Sequence, residues 1–326
     1  MTPPPPAAAA RRRVVFRIVL TAILIGGGIG AVSTLHAIDW RAFGAALASA
    51  GRVPLTIALV VSTVQVYAQL ARFVVLVPPA ERRPIGTLLD ATAVGQFLNY
   101  ATPLRAGDAY KLIRLAPEGE GNASAGGRGR FSVLLAALLA ERVADITALF
   151  MMAAWASFAE LLAWALTLVP SPALVIGIAI ALLAAALFIV PLAGRRWHPL
   201  RAFLANMRGA LWSPRFLRSL AVSVLTWSLD AGTLYFTSRT VGHYDLTFRE
   251  VMHAVFVLNL GIAVPVTVGN LGVFEAALAF ALVRHGVSTS DALAIATLEH
   301  FAKFAGLGLC VASLRAGRAL LTKGAV

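Results

Sequence analysis

Apolar positions in this chain come in runs too long for the core of a water-soluble domain. Six of them, about 14–35, 53–76, 131–156, 172–193, 217–238 and 290–313, have spanning length, since about 20 apolar residues cross a bilayer as a helix. Two further stretches, about 85–115 and 250–285, are as apolar but broken by Pro, Gly, Asn and charge. The first break reads LNYATPLRAGD at 98–108 and the second VPVTVGNLGVFE at 264–275. Backbone polar groups in hydrocarbon must be satisfied internally, which leaves helices or closed barrels. Runs of this length predict an all-α polytopic membrane protein, with about six spanning helices and two interrupted helical segments. The run at 14–35 is too long for the apolar part of a secretory signal and is read as a retained first helix, with Gly26 and Gly30 set for close packing.

Composition agrees with that reading. Hydrophobic residues make up 59% and charged residues 13%, where a soluble domain carries about a quarter charged residues; mean hydropathy is +0.80. The net charge of +13 does not point to nucleic acid, because the basic residues lie in short clusters between apolar runs with no nucleic-acid motif around them. If both interrupted stretches enter and leave the membrane on one side, twenty basic residues fall on one face and five (Arg41, Arg52, Arg239, Arg249 and Arg284) on the other. The richer face includes Arg72 and Lys111, while Arg105, Arg142 and Lys303 fall within membrane segments. Positive residues mark the cytoplasmic side, so the expected topology has both termini in the cytoplasm of a bacterial inner membrane. The two interrupted stretches become re-entrant hairpins that enter from opposite faces. The domain reading is a cytoplasmic tail at 1–13, a membrane domain at 14–315 with a low-complexity cytoplasmic loop at 116–130, and a tail at 316–326. The stretch 195–216, with Arg195, Arg196, Trp197, Arg201, Arg208 and Trp212, fits a helix on the inner membrane surface.

The two breaks also read as copies of one another. Each runs Leu-Asn, then proline, glycine and an acid, so that Asn99 pairs with Asn259, Pro103 with Pro265, Gly107 with Gly272 (or Gly269), and Asp108 with Glu275. The helix after each break matches too: Glu141, Arg142 and Asp145 align with Glu299, His300 and Lys303. The offset is 160 residues at the asparagines and 158 at the glutamates. Broken segments in inverted halves point to a binding site near the membrane midplane, with repeats at about 85–156 and 250–313.

The polar residues in these segments are the candidate site. Proline frees a carbonyl and glycine opens backbone geometry, so the first break offers a helix end beside the guanidinium of Arg105, a receptor for an anionic headgroup. Lys111 extends it toward the headgroup plane, with Asn99, Pro103, Gly107 and Asp108 shaping it. The second break supplies Asn259, Pro265, Asn270 and Glu275, or is a packed turn. Glu141, Arg142 and Asp145 with Glu299 and Lys303 are read either as a coupling or gating pathway or as ion pairs that fix helix register. Gln65, Gln69, Arg72 and Asp230 are secondary candidates. The six histidines are scattered without ligand spacing, and Cys310, the one cysteine, is read as a packing residue. No catalytic, metal-binding or cofactor motif is found.

The blocks GQFLNYATPLRAGDAYKLIRL, LLAERVADITALF and VPVTVGNLGVFEAALAFALVRHGVSTSDALAIATLEH resemble the lysylphosphatidylglycerol synthase transmembrane-region family, the flippase-like membrane proteins. The resemblance covers about residues 15–315. It implies a polytopic inner-membrane protein that moves or handles lipids such as polyprenyl-linked sugars, hopanoid-related lipids or phospholipids. Larger members carry a cytosolic aminoacyl-transferase domain; with the sequence ending at Val326, a stand-alone member is expected and lysyl transfer is not assigned. The commoner second block has two consecutive glycines where Gly269 and Asn270 stand here. The functional expectation is a flippase or transporter for an anionic or lipid-linked envelope precursor. The alternative is a membrane scaffold that presents lipid to a partner glycosyltransferase or synthase.

Overall fold

Asp39 opens the first described helix by accepting hydrogen bonds from the backbone of Arg41 and Ala42 at 3.0 and 3.1 Å, which satisfies donors that a helix start leaves free. The computed structural model describes residues 39–102, 106–116, 125–168, 198–242, 244–263 and 267–323. The expected spans at 14–35 and 172–193 lie outside them, as do Pro103, Arg105, Pro265, Arg195, Arg196 and Trp197. Among the described residues the α-helices are α1 (Trp40–Ala48), α2 (Arg52–Leu76), α3 (Ile85–Ala101), α4 (Ala106–Leu115), α5 (Ala125–Leu168), α6 (His198–Leu211), α7 (Pro214–Ser238), α8 (Phe248–Gly261), α9 (Val273–Val283) and α10 (Thr289–Lys323), with no strand.

Element order repeats. A long helix, two short helices joined at a break, and a second long helix occur as α2–α3–α4–α5 and again as α7–α8–α9–α10. The two copies run in opposite senses. Gly51 bonds to Thr240, Gln65 to Asp230, and Arg72 to Ser219, so residue numbers rise along α2 as they fall along α7. By the same test α10 runs parallel to α2: Gly306 meets Ser62, and Ser313 meets Tyr67. Each short pair is an antiparallel hairpin, tied by Asn99 to Asp108 in the first and by His253 to His285 in the second.

The helices expose large apolar side chains and bury charged ones within an otherwise apolar core. Val53, Val60, Ile146, Phe150, Phe280 and Phe301 are all more than half exposed, whereas Ser62, Gln65, Arg72, Lys111, Glu141, Asp230, Glu299 and Lys303 are buried. Both features depart from the soluble pattern. By length and composition α2 (Arg52–Leu76) and the segment Thr289–Gly317 of α10 could cross a membrane. The expected span at 217–238 is helical as α7, but its inner face carries the hydroxyls of Ser219, Ser223, Thr226, Thr233, Thr237 and Ser238 around Asp230, which lowers its hydropathy without exposing it. The expected span at 131–156 belongs to the 44-residue α5, about 66 Å long at 1.5 Å per residue. Residues 125–130, expected in a flexible loop, form its first turns.

Glycine sets two close approaches. A Cβ on Gly107 would lie 1.7 Å from the carbonyl oxygen of Gly95, so only glycine lets α3 and α4 meet there. At the second break Gly269 has φ +62° and Asn270 φ +56°, left-handed conformations that asparagine tolerates better than most residues. The Gly-Asn pair therefore still makes a tight turn, and a Cβ on Gly269 would stand 3.2 Å from the Tyr100 carbonyl oxygen. Cys310 is buried with Val66, Leu70, Ala93 and Leu307.

Candidate functional site

Two ion networks occupy the interior, one per half. In the first, Arg72 on α2 pairs with Asp145 and lies 3.5 Å from Glu141, both on α5. Lys111 on α4 lies 3.3 Å from Asp108 and 3.7 Å from Glu141. Arg142 donates to both oxygens of Asp108, at 3.0 and 2.9 Å. Asn99 completes it from α3: its amide donates to Asp108 Oδ1 at 2.9 Å and its oxygen accepts from the Asp108 backbone at 3.1 Å. The carboxamide thus caps α4 and ties the hairpin closed. Indole Nε1 of Trp227 donates to the Asp145 carbonyl at 3.0 Å, joining α7 to this network.

In the second network Lys303 lies 2.9 Å from Asp230 on α7 and 3.5 Å from Glu299, one turn back on α10. Gln65 from α2 donates to Asp230, and Thr237 bonds to Glu299 at 2.8 Å. His300 pairs through Nδ1 with Glu275 at 2.7 Å while its ring stacks on Phe274 at 4.1 Å. Glu275 also accepts from the Gly272 backbone at 2.7 Å, capping α9.

The alignment of the two breaks reappears as contact. Asp108 binds Arg142, and its counterpart Glu275 binds His300, the counterpart of Arg142. Arg72 and Asp230 stand 158 residues apart, the separation that relates Glu141 to Glu299 and Asp145 to Lys303. The Arg72–Asp145 pair therefore recurs as Asp230–Lys303 with the charges exchanged. Other matched residues part company. Asn259 donates to the Val255 carbonyl of its own helix at 2.8 Å and does not cap as Asn99 does. Gly107 is buried in the hairpin contact, whereas Gly272 is an exposed helix cap at φ +81°.

Between the hairpins lies a cavity of about 340 Å³. Six carboxamides face it, from Gln65, Gln69, Gln96, Asn99, Asn259 and Asn270, together with Tyr100, Thr226, Trp227, Phe274 and His300. Arg72, Arg142 and Lys303 reach the same wall beside Asp145 and Asp230. Both hairpins and α2, α5, α7 and α10 contribute. Ile146, Leu149, Ile262 and Ala263 complete the wall, so the lining is mixed, with amides and paired charges set beside apolar side chains.

Of the sequence-predicted site residues, Asn99, Arg142, Asp145, Asn259, Asn270 and Lys303 line this cavity. Asp108, Glu141, Glu275 and Glu299 hold the charged lining residues from behind. Lys111 does not extend toward a headgroup plane. It is 1% exposed, turned inward to Asp108 and Glu141, with Phe73 beneath its ammonium at 5.0 Å. Arg72 is likewise no loop residue, being buried within α2, so both leave the cytoplasmic charge count without reversing its asymmetry. Arg72 and Asp230 carry more of the site than their secondary rank in the sequence suggested, and Gln96, Tyr100, Trp227 and Phe274 were not singled out. The shared 158-residue spacing was the signal that would have promoted Arg72 and Asp230. Histidines 253 and 285, read as scattered, are in ring contact at 2.9 Å.

Residues 18–310 match the family model described as the lysylphosphatidylglycerol synthase TM region. The chain belongs to that family. A search among curated proteins gives no match. The transmembrane-region family places this chain among integral membrane proteins of the flippase-like, lipid-handling kind. The match is to the membrane region of such synthases, not to an aminoacyl-transferase domain.

Proposed function

We propose that this protein moves a lipid between membrane leaflets, the headgroup passing through the cavity between the two hairpins while the acyl chains stay in the bilayer. The observation that carries this reading is the 340 Å³ cavity with amides and charged groups in its wall, lined from both hairpins in a molecule whose outer surface exposes large apolar side chains. The two hairpins enter the membrane from opposite faces, in halves inverted about an axis in the membrane plane, within about six spanning helices whose ends lie in the cytoplasm of a bacterial inner membrane. Antiparallel α2 and α7, the repeated element order and the skewed distribution of basic residues support that topology. Site polarity comes from amides and from charges already paired, so headgroup hydroxyls, amides and phosphate oxygens are met by exchangeable hydrogen bonds. Arg105 adds a cation for an anionic headgroup at the first break.

Reconstitution tests this directly. Purified protein in vesicles of phosphatidylethanolamine and phosphatidylglycerol, carrying acyl-labelled phosphatidylglycerol, phosphatidylethanolamine or a glycosylated polyprenyl phosphate, should expose the inner-leaflet probe of at least one lipid to an external quencher. Gln96→Leu or Asn259→Leu, which replace cavity amides with branched alkyl groups, should slow that exposure about tenfold, the effect of about 1.4 kcal/mol on a barrier. Protection of every inner-leaflet probe by folded protein overturns the transport reading. A synthase or glycosyltransferase that co-purifies with such an inactive protein would support lipid presentation instead.

A further inference from the structure

The matched glutamates differ in what surrounds them. Glu141 lies between two cations, Arg72 at 3.5 Å and Lys111 at 3.7 Å. Glu299 has Lys303 at 3.5 Å, and that ammonium sits closer, at 2.9 Å, to Asp230. Two carboxyls thus share one ammonium, and both residues are at most 2% exposed. A buried carboxylate without a counter-charge is costly enough that it takes up a proton instead.

The partners of the two carboxyls differ. Asp230 receives the Gln65 amide as well as Lys303. Glu299 Oε1 makes no hydrogen bond and has the Lys303 ammonium at 3.5 Å. The Thr237 hydroxyl has one proton and two acceptors, the Thr233 carbonyl at 2.7 Å and Glu299 Oε2 at 2.8 Å. A proton on Glu299 lets both contacts be hydrogen bonds, so Glu299 is the carboxyl better placed to hold it. The groups facing this corner are Lys303 and His300 from α10, Asp230 from α7, Glu275 from α9 through His300, and Tyr100 from α3 across the cavity; α2 brings the neutral Ser62 and Gln65. His300 lines the cavity, and its Nε2, which is buried, makes no hydrogen bond, so with Nδ1–H given to Glu275 that nitrogen is an open acceptor.

We propose that Glu299 is a proton-binding site, neutral in the arrangement seen here, which exchanges one proton with the cavity as Lys303 and Asp230 change partners. In the exchange the Glu299 O–H bond breaks and the proton passes to cavity water or to His300 Nε2. The carboxylate left behind draws Lys303 toward it and away from Asp230, which couples protonation to the relative position of α7 and α10. The proton site stands on this geometry alone; its use in driving lipid movement rests on the transport reading above.

Infrared difference spectra of the full chain in lipid nanodiscs, acid minus alkaline, test the site without any transport. A protonated-carboxyl band is expected that disappears in Glu299→Gln and shifts to higher frequency in Thr237→Val, where the hydroxyl acceptor is gone. Absence of such a band, or its survival unchanged in Glu299→Gln, overturns the proposal. If Glu299→Gln does not fold, an unshifted band in Thr237→Val overturns it. A second measurement imposes a pH gradient on phosphatidylethanolamine–phosphatidylglycerol vesicles carrying labelled phosphatidylglycerol. Wild-type transfer should change with the gradient, and Glu299→Gln should lose that dependence. A Glu299 band without gradient-dependent transfer overturns the coupling and leaves the proton site standing.

Discussion

The halves of this molecule solve one burial problem with opposite charges. In the first, a cation on the leading helix (Arg72) meets an acid on the trailing helix (Asp145); in the second, an acid (Asp230) meets a cation (Lys303). Position has been kept and sign exchanged. What a buried pair requires is a complementary partner at hydrogen-bonding distance, since each charge alone would be intolerably desolvated. The sums differ, however. The first network sets Arg72, Lys111 and Arg142 against Asp108, Glu141 and Asp145, while in the second Lys303 faces both Asp230 and Glu299. A balanced network holds its shape. One with an acid in excess responds to protons.

The largest effect expected from breaking this comparison is at Arg72. Arg72→Ala removes a cation from beside both Asp145 and Glu141, and should cost about 3–5 kcal/mol, as for one partner removed from a buried pair; the midpoint of thermal unfolding in detergent reads it. Exchanging the pair, Arg72→Asp with Asp145→Lys, reproduces the second half's arrangement and should recover much of that loss. A double variant no more stable than Arg72→Ala would break the equivalence of the two pairs.

Gly107→Ala comes next. It forces the first hairpin open against the Gly95 carbonyl and should cost about 1–3 kcal/mol, the usual range for overpacking. The smallest effects separate the matched asparagines. Asn99→Ala removes a cap and should cost about 1 kcal/mol. Asn259→Ala, which loses a bond within its own helix turn, should stay within about 0.5 kcal/mol while still slowing lipid movement through the cavity. Equal losses at the two would mean that Asn99 does not hold its hairpin.

Much of this architecture was written in the apolar runs. Arg52–Leu76 and Pro214–Ser238 begin and end near the expected limits, because twenty-odd apolar residues without a breaker have few alternatives to one helix; Thr289–Lys323 begins as expected but runs ten residues past 313, into the stretch expected as a tail. Both breaks were legible through Pro, Gly and Asn. Helix α1 was missed because its nine residues, opened by Asp39, are too short to span a membrane and fall between the apolar runs; its packing on α10 is tertiary. The site was half legible. Asp108, Glu141 and Glu299 stood out as acids in apolar surroundings, but Lys111 and Arg72 looked like loop cations because each lies within a turn or so of a helix end. Burial there depends on which way the helix faces, and only the packed neighbours decide that.

The turn at Gly269 and Asn270 rests on the last residues of α3, against the Tyr100 carbonyl and the ring of Phe304. A side chain added at Gly269 would press on both. The two tips are in that sense a single inherited unit assembled from distant parts of the sequence. Across homologues, substitutions at 100 and 304 should be matched by substitutions at 269 and 270, and a chimera that joins the first half of one homologue to the second half of another should fail first at this seam.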